Sequence, residues 1–138
     1  MDEDLIKKVT NIMETGMKDP EDIITLNELF KQASSEIEDL KEELSDINQF
    51  VGQMVISDKK FQWWVKMGDG IYEYGKGEVE GPSFTMSANW ETMSGMMVGE
   101  IDGTSAYMSG DLQIEGDLQN TIAYGDYLGL VADILQEQ

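Results

Sequence analysis

The chain contains no cysteine, no histidine and no arginine. Without cysteine, neither a disulfide framework nor thiolate chemistry is open to it. That fits a reducing compartment, and a cytoplasmic location is the expectation. The commonest general base, the strongest nucleophile and the soft ligands of zinc are missing together. The lack of arginine removes bidentate phosphate recognition and makes an acyl-coenzyme A ligand less suited than a neutral lipid or a free fatty acid. No serine lies in a Gly-x-Ser-x-Gly elbow. Neither Gly68-Asp69-Gly70 nor the set Gly95, Gly99 and Gly103 is followed by Gly-Lys-Ser/Thr, so no phosphate loop is present. Apolar runs are too short to span a membrane. The opening Met1-Asp2-Glu3-Asp4 lacks the basic region of a signal peptide. The 28 acids include no EF-hand spacing and no carboxylate pair that stands out for glycoside chemistry. An enzyme is therefore not expected, nor a metal site or a cofactor.

What the chain does have is negative charge. Its 138 residues suit a single domain, and nine lysines against 28 acids give a net charge of −19. Such a field repels nucleic acid and anionic membrane surfaces, so at most transient membrane contact is expected. A solubility coat is the simpler reading of the acidic surface. Docking of a basic partner is the alternative.

Apolar spacing divides the chain. Leu5, Ile6, Val9, Ile12, Met13 and Met17 follow a helical period, with Gly16 as a stop. Asp19-Pro20-Glu21-Asp22 reads as a second helix start, with Asp19 as cap. Leu26, Phe30, Ala33, Ile37, Leu40, Leu44 and Ile47 form a heptad seam. It fits either a coiled coil with another chain or two helices, bent near Ser34 and Ser35, lying on a sheet. From Phe50 the pattern turns to strands: Phe50 to Ser57, Phe61 to Met67, Ile71 to Gly77 and Ser83 to Ala88. Gly68-Asp69-Gly70 marks a hairpin, and the four strands are expected to meander. Trp90 to Val98 reads as a short helix, with Trp90, Met93 and Met97 on one face and Met96 beside it. Met108, Gly110, Leu112 and Ile114 then alternate with polar residues, which predicts a fifth strand from Met108 to Glu115. Leu118 to Leu135 reads as a terminal helix with a stripe of Leu118, Ile122, Leu128, Val131 and Leu135 and a second of Tyr124, Tyr127, Leu130 and Ile134. Gly125 and Gly129 weaken that helix. The expected class is α+β, a five-stranded, largely antiparallel sheet covered by helices.

One stretch carries a family resemblance. Ala106-Tyr107-Met108-Ser109-Gly110, then Leu112, Ile114, Gly116 and Asp117, resembles the end of a sterol carrier protein-2 domain, the SCP-2-like, non-specific lipid-transfer family. Tyr107 stands where the family has Phe, and Asp111 where it has a basic residue. Gly99-Glu100-Ile101-Asp102 is similar to the family's Gly-x-x-Asp turn. The match extends over about residues 26–135. It implies a helical extension over residues 1–18 and an SCP-2-like lipid-binding domain over 19–138. In that family an apolar tunnel between sheet and helices holds a lipid, and the C-terminal region closes it.

The resemblance and the apolar pattern together give the expected ligand-contacting residues. They are Phe61, Trp63, Val65, Phe84 and Met86 on the sheet, and Trp90, Met93 and Met97 on the short helix. Met108, Gly110, Leu112 and Ile114 follow on the fifth strand, and Ile122, Leu128 and Val131 on the last helix. Methionine suits a pocket that accepts varied ligands. The expected partner is a fatty acid, a sterol-like molecule or another hydrophobic small molecule, and the expected state a monomer or weak homodimer. Whether the domain transfers its ligand or only holds it stays open. Lys59, Lys60, Lys66 and Lys76 read as a solvated strand face or as a head-group patch. Two other roles stand beside the carrier: a protein-interaction or dimerisation module built on the heptad seam, and an accessory domain serving an enzyme in trans.

Overall fold

The computed structural model describes residues 1–137. Three helices come first: α1 (Glu3–Thr15), α2 (Glu21–Glu36) and α3 (Glu38–Ser45). Asp2 caps α1 by accepting from the Asp4 and Leu5 amides at 2.9 and 3.3 Å, and Gly16 ends it. Asp19 accepts from the Glu21 amide at 2.9 Å and Asp22 from the Lys18 amide at 3.0 Å, so the chain turns into α2 with its acids at the positive helix end. The heptad seam is split between α2 and α3. The break falls at Ile37, which takes an extended conformation (φ −91°, ψ 120°), three residues beyond Ser34. Leu26, Phe30, Ala33, Leu40 and Leu44 are all buried within the chain. These five seam residues are therefore part of the core, as in two helices lying on a sheet.

The strands follow: β1 (Phe50–Ile56), β2 (Phe61–Gly68), β3 (Ile71–Lys76) and β4 (Phe84–Ala88). Asp69 and Gly70 both take positive φ (50° and 86°), which a two-residue type I′ hairpin turn demands. The meander stops there. The sheet order is β3-β2-β1-β4-β5, and β4 lies parallel to β1. A parallel neighbour needs a crossover, and residues 77–82 supply it. Gln53 points away from the helices and binds this segment, donating to the Gly77 carbonyl (3.0 Å) and accepting from the Val79 amide (2.8 Å). The sheet is thus mixed, with only the β1–β4 pair parallel.

The fifth strand is shorter than expected. After α4 (Trp90–Met97), residues Gly103–Ser109 form a helix, α5, and only Gln113–Gly116 form β5. Asp102 caps α5 by accepting from the Ser105 amide (3.0 Å), and Gly110 ends it in the left-handed region (φ 89°). The alternation from Met108 on was misleading because β5 pairs only with β4. That ladder runs from Phe84↔Gly116 to Ser87↔Gln113. Residues before Gln113 have almost no strand left beside them. The final helix, α6 (Leu118–Gln136), is where it was expected. No helix among the described residues is long and apolar enough to cross a membrane.

Three phenols fasten the helix layer. The Tyr72 hydroxyl donates to Asn27 Oδ1 at 2.6 Å, and Tyr74 to Glu28 Oε1 at 2.7 Å, joining β3 to α2. Tyr127 of α6 and Ser34 of α2 share a hydroxyl hydrogen bond of 2.5 Å. Burial holds the Tyr72 phenol well above its ordinary pKa, and the nearby Tyr124, Tyr127 and Tyr74 phenols add to the effect. Burial raises Tyr74 too, with the Glu28 hydrogen bond and charge behind it. Burial pushes Tyr127 up to about 12 despite the opposing Ser34 hydrogen bond. An unfolded chain ionises its phenols near pH 10. The folded state holds these protons more tightly, so their contribution to stability is complete below about pH 10 and is lost as pH rises through the raised values. Urea denaturation stepped from pH 7 to 12 should show no phenol-linked loss up to pH 9 and a steep fall above 10. Phenolate absorbance should rise together with the loss of tertiary structure. Ionisation of all five tyrosines near pH 10 in a folded protein would contradict this.

Candidate functional site

Paired strands set side chains in rows across the helix-covered face. One row is Tyr74, Val65, Gly52, Phe84 and Gly116. It is solid. The Phe84 ring occupies the space over Gly52, where an added Cβ would come within 2.7–2.8 Å of the ring's Cε atoms. Phe84 also packs on Phe50 and Tyr124, with ring centroids 5.9 and 6.0 Å apart. The next row is Trp63, Met54, Met86 and Ile114. Over it the helices do not close down. A chamber of about 960 Å³ lies there, at the upper end of the range for small-molecule sites.

The helices build most of the rest of the wall. Leu26, Leu29 and Phe30 come from α2, and Ile6, Val9 and Met13 from α1. Helix α4 and the turn after it supply Met93, Met96, Met97, Val98 and Ile101, and α6 supplies Thr121, Tyr124 and Leu128. The exposed residues Thr10 and Glu14 of α1 and Asp133 and Gln136 near the end of α6 form a polar rim. Trp63 Nε1 and the Tyr124 hydroxyl are both buried and face each other, with no other hydrogen-bond partner among the described residues. Burial raises the Tyr124 phenol, and the facing Trp63 indole N–H partly offsets that. No group of acids among the described residues is placed to hold a metal ion. Lys59, Lys60, Lys66 and Lys76 are absent from the wall, and Lys76 instead pairs with Glu21 and lies 5.8 Å from the Phe61 ring.

Of the residues expected at the ligand, Trp63, Met86, Met93, Met97, Leu112 and Leu128 line this chamber. Val65, Phe84 and Val131 are buried in the solid part of the core. Phe61, Trp90 and Ile114 pack against the core without reaching the wall. Met108 is 81% exposed on α5, and Gly110 is the cap that ends that helix. Neither lies on a strand. Leu118 and Ile122 are exposed, and the buried stripe of α6 is Thr121, Tyr124, Tyr127 and Val131. Two tyrosines bury more surface than two aliphatic residues, and they set the rotation of the helix.

Helix α1 is the main contributor that sequence reading set apart. Its amphipathic period was visible, but a period does not say which surface the apolar face covers. Gly125 and Gly129 do not pack against the sheet. Both line the chamber, and an added Cβ at either meets nothing within 4 Å.

Comparison with known proteins places this architecture. The chain belongs to the SCP-2 sterol transfer family, whose model matches residues 26–128. Helix α1 lies outside the matched segment. Solved structures of similar fold include the UbiJ-SCP2 ubiquinone synthesis protein (TM-score 0.65, 15% identity, 81% of this chain and 96% of that one). Apo sterol carrier protein 2 from Yarrowia lipolytica is another (TM-score 0.60, 13% identity, 75% and 87%). The stereoselective inverting sec-alkylsulfatase Pisa1 from Pseudomonas sp. also matches (TM-score 0.50, 18% identity). There 59% of this chain spans only 13% of the enzyme. No curated protein matches the sequence.

The open space at the two glycines is directly testable. Alanine at a helical glycine with room for its methyl stabilises by about 0.5–1 kcal/mol. Gly125→Ala and Gly129→Ala should each raise the free energy of unfolding by about that amount in urea titrations. A loss of stability at either position would show a wall packed against the glycine.

Proposed function

We propose that the protein binds one lipid, its apolar chain laid in the chamber between sheet and helices, and that it acts as a carrier or presenter rather than an enzyme. The carrying observation is the unfilled row over Trp63, Met54 and Met86 within an otherwise close-packed core. Protein interiors rarely leave such space empty. The walls are apolar and rich in methionine, whose flexible thioether adapts to varied shapes. Family membership supports the same reading, as does the naming of neighbours of this fold for sterol carriage. Histidine, the commonest general base, and cysteine, the strongest nucleophile, are missing from the chain. Helix α1 is part of the binding domain in this reading, because it supplies wall residues.

Binding would be driven by burial of methylenes, each contributing about 0.8 kcal/mol, or roughly fourfold in affinity. Delipidated protein should bind a fluorescent fatty-acyl probe saturably, one per chain, with unlabelled lipid displacing it. Competitors of rising chain length should tighten by up to about fourfold per methylene until the chamber is full, then level off. Folded protein that shows no saturable binding would end the carrier reading.

A further inference from the structure

The chamber has a mouth, and its sides differ in how they are held. Wall residues that are also exposed include Thr10 and Glu14 of α1, Gly99 beyond α4, and Gly125, Gly129 and Asp133 of α6. They place the mouth between α1, the turn after α4 and the second half of α6. Helix α6 is fastened. Tyr127 and Ser34 share their hydroxyl hydrogen bond, the Asn120 side-chain amide donates to Ser83 Oγ at 3.0 Å, and the Asp117 N–H donates to the Ser83 carbonyl at 2.8 Å. Helix α4 is tied at its start, where the Trp90 N–H donates to Asp58 Oδ1 at 2.8 Å.

Among the described residues, α1 makes no hydrogen bond to the sheet, to α4 or to α6. Its substantial packing is on α2. Its polar links run there too, from the Met1 amine to Glu36 Oε1 at 2.7 Å and from the Asp2 N–H to Gln32 Oε1 at 3.0 Å. Val9 and Ile12 are buried, but Leu5, Ile6 and Met13 are only half-covered, and Ile6 and Met13 face the chamber. A helix of 13 residues is marginal by itself in water, and so little burial leaves it at the low end of local stability.

The joint between α1 and α2 suits a pivot. Gly16 takes φ 88° and ψ 158°, a conformation that glycine alone adopts readily, and an added Cβ there meets nothing within 4 Å. Gly16, Met17 and Lys18 belong to no helix. Helix α2 begins without help from α1, since Asp19 accepts from the Glu21 N–H at 2.9 Å and Asp22 from the Lys18 N–H at 3.0 Å. Rotation within these three residues swings α1 and leaves the start of α2 in place. A lipid in the chamber gives Ile6, Val9 and Met13 apolar surface to cover, which favours the seated helix.

We infer that α1 is the gate of the chamber: it lifts away about residues 16–18 to let a lipid in or out, and a bound chain holds it shut. The gate lies outside the segment that the family model matches. The inference rests on the carrier reading above and names how that same site is opened.

Ile12 is the residue to change, because it is buried yet not part of the wall. Stopped-flow mixing of the full chain with dansyl-labelled undecanoate gives the rates of entry and exit. Both steps wait for α1 to open, so Ile12→Ala should speed entry and exit alike, each by about tenfold or more, with Kd kept within about threefold. A helix that served only as wall would lose grip on the probe, and exit would quicken while entry stayed the same. A second measurement needs no variant and stands even if Ile12→Ala fails to fold. Hydrogen exchange in the ligand-free parent should show residues 3–15 opening at least about tenfold more often than β1 and β2, and slowing once the probe is bound. Exchange in α1 no faster than in β1, no slowing with probe, unchanged rates in Ile12→Ala, or a change in exit alone would overturn the gate and leave the carrier reading intact. Folded parent that binds no probe saturably would end the carrier reading, and the gate with it.

Discussion

The helix layer is held to the sheet from one side. Tyr72 and Tyr74 on edge strand β3 reach α2, and Ser34 on that helix holds Tyr127 of α6. Each bond is between side chains buried or partly buried, where an unmade hydrogen bond would be expensive. They fix how high α2 and α6 stand over the strands. Under this fastening the core is solid: Phe84 fills the space at Gly52, and Leu40 and Leu44 of α3 are fully covered. Farther along the strands, over Trp63, Met54 and Met86, the helices stand off the sheet and the chamber opens. Fastening and chamber are two outcomes of one arrangement.

Residue choice follows that division. Phe50, Phe84 and Tyr72 pack in the solid part, whereas the chamber carries five flexible side chains, Met54, Met86, Met93, Met96 and Met97, beside Phe30, Trp63 and Tyr124. Flexible thioethers can cover the gap when no ligand is present and move aside when one enters. Gly125 and Gly129 keep the α6 wall thin beside the rim. The lysines lie elsewhere, and the charged groups at the rim are Glu14 and Asp133.

Much of this could be read from the sequence where local chemistry dictates it. The Asp69-Gly70 turn, the stop of α1 at Gly16 and the new helix start after Asp19-Pro20 are short-range signals, and the structure keeps them. Three features were not legible. The parallel placement of β4 beside β1 depends on a crossover bound to Gln53, a contact 24 and 26 residues away in the chain. The stretch around Met108 satisfied a strand period, but strand β4 is too short to pair with it; Asp102 and Gly110 carried the better signal, as helix caps. The rotation of α6 was set by tyrosines that find partners across the core, while counting aliphatic residues favoured Leu118 and Ile122. Of the chamber lining, Trp63, Met86, Met93, Met97, Leu112 and Leu128 are among the residues the sequence pointed to, whereas α1 and Tyr124 are not.

The central claim is that a lipid chain occupies the space over the Trp63–Met54–Met86 row. Methyl-labelled methionine gives the most direct test, because the ten methionines sample both wall and surface. With a saturating deuterium-free lipid in otherwise deuterated protein, intermolecular Overhauser effects should reach the methyls of Met54, Met86, Met93, Met96 and Met97. Met67, buried in the solid core, and Met108, exposed on α5, should show none. Effects confined to Met108, or absent from Met54 and Met86 while the lipid is bound, would place the ligand outside the chamber and contradict the account.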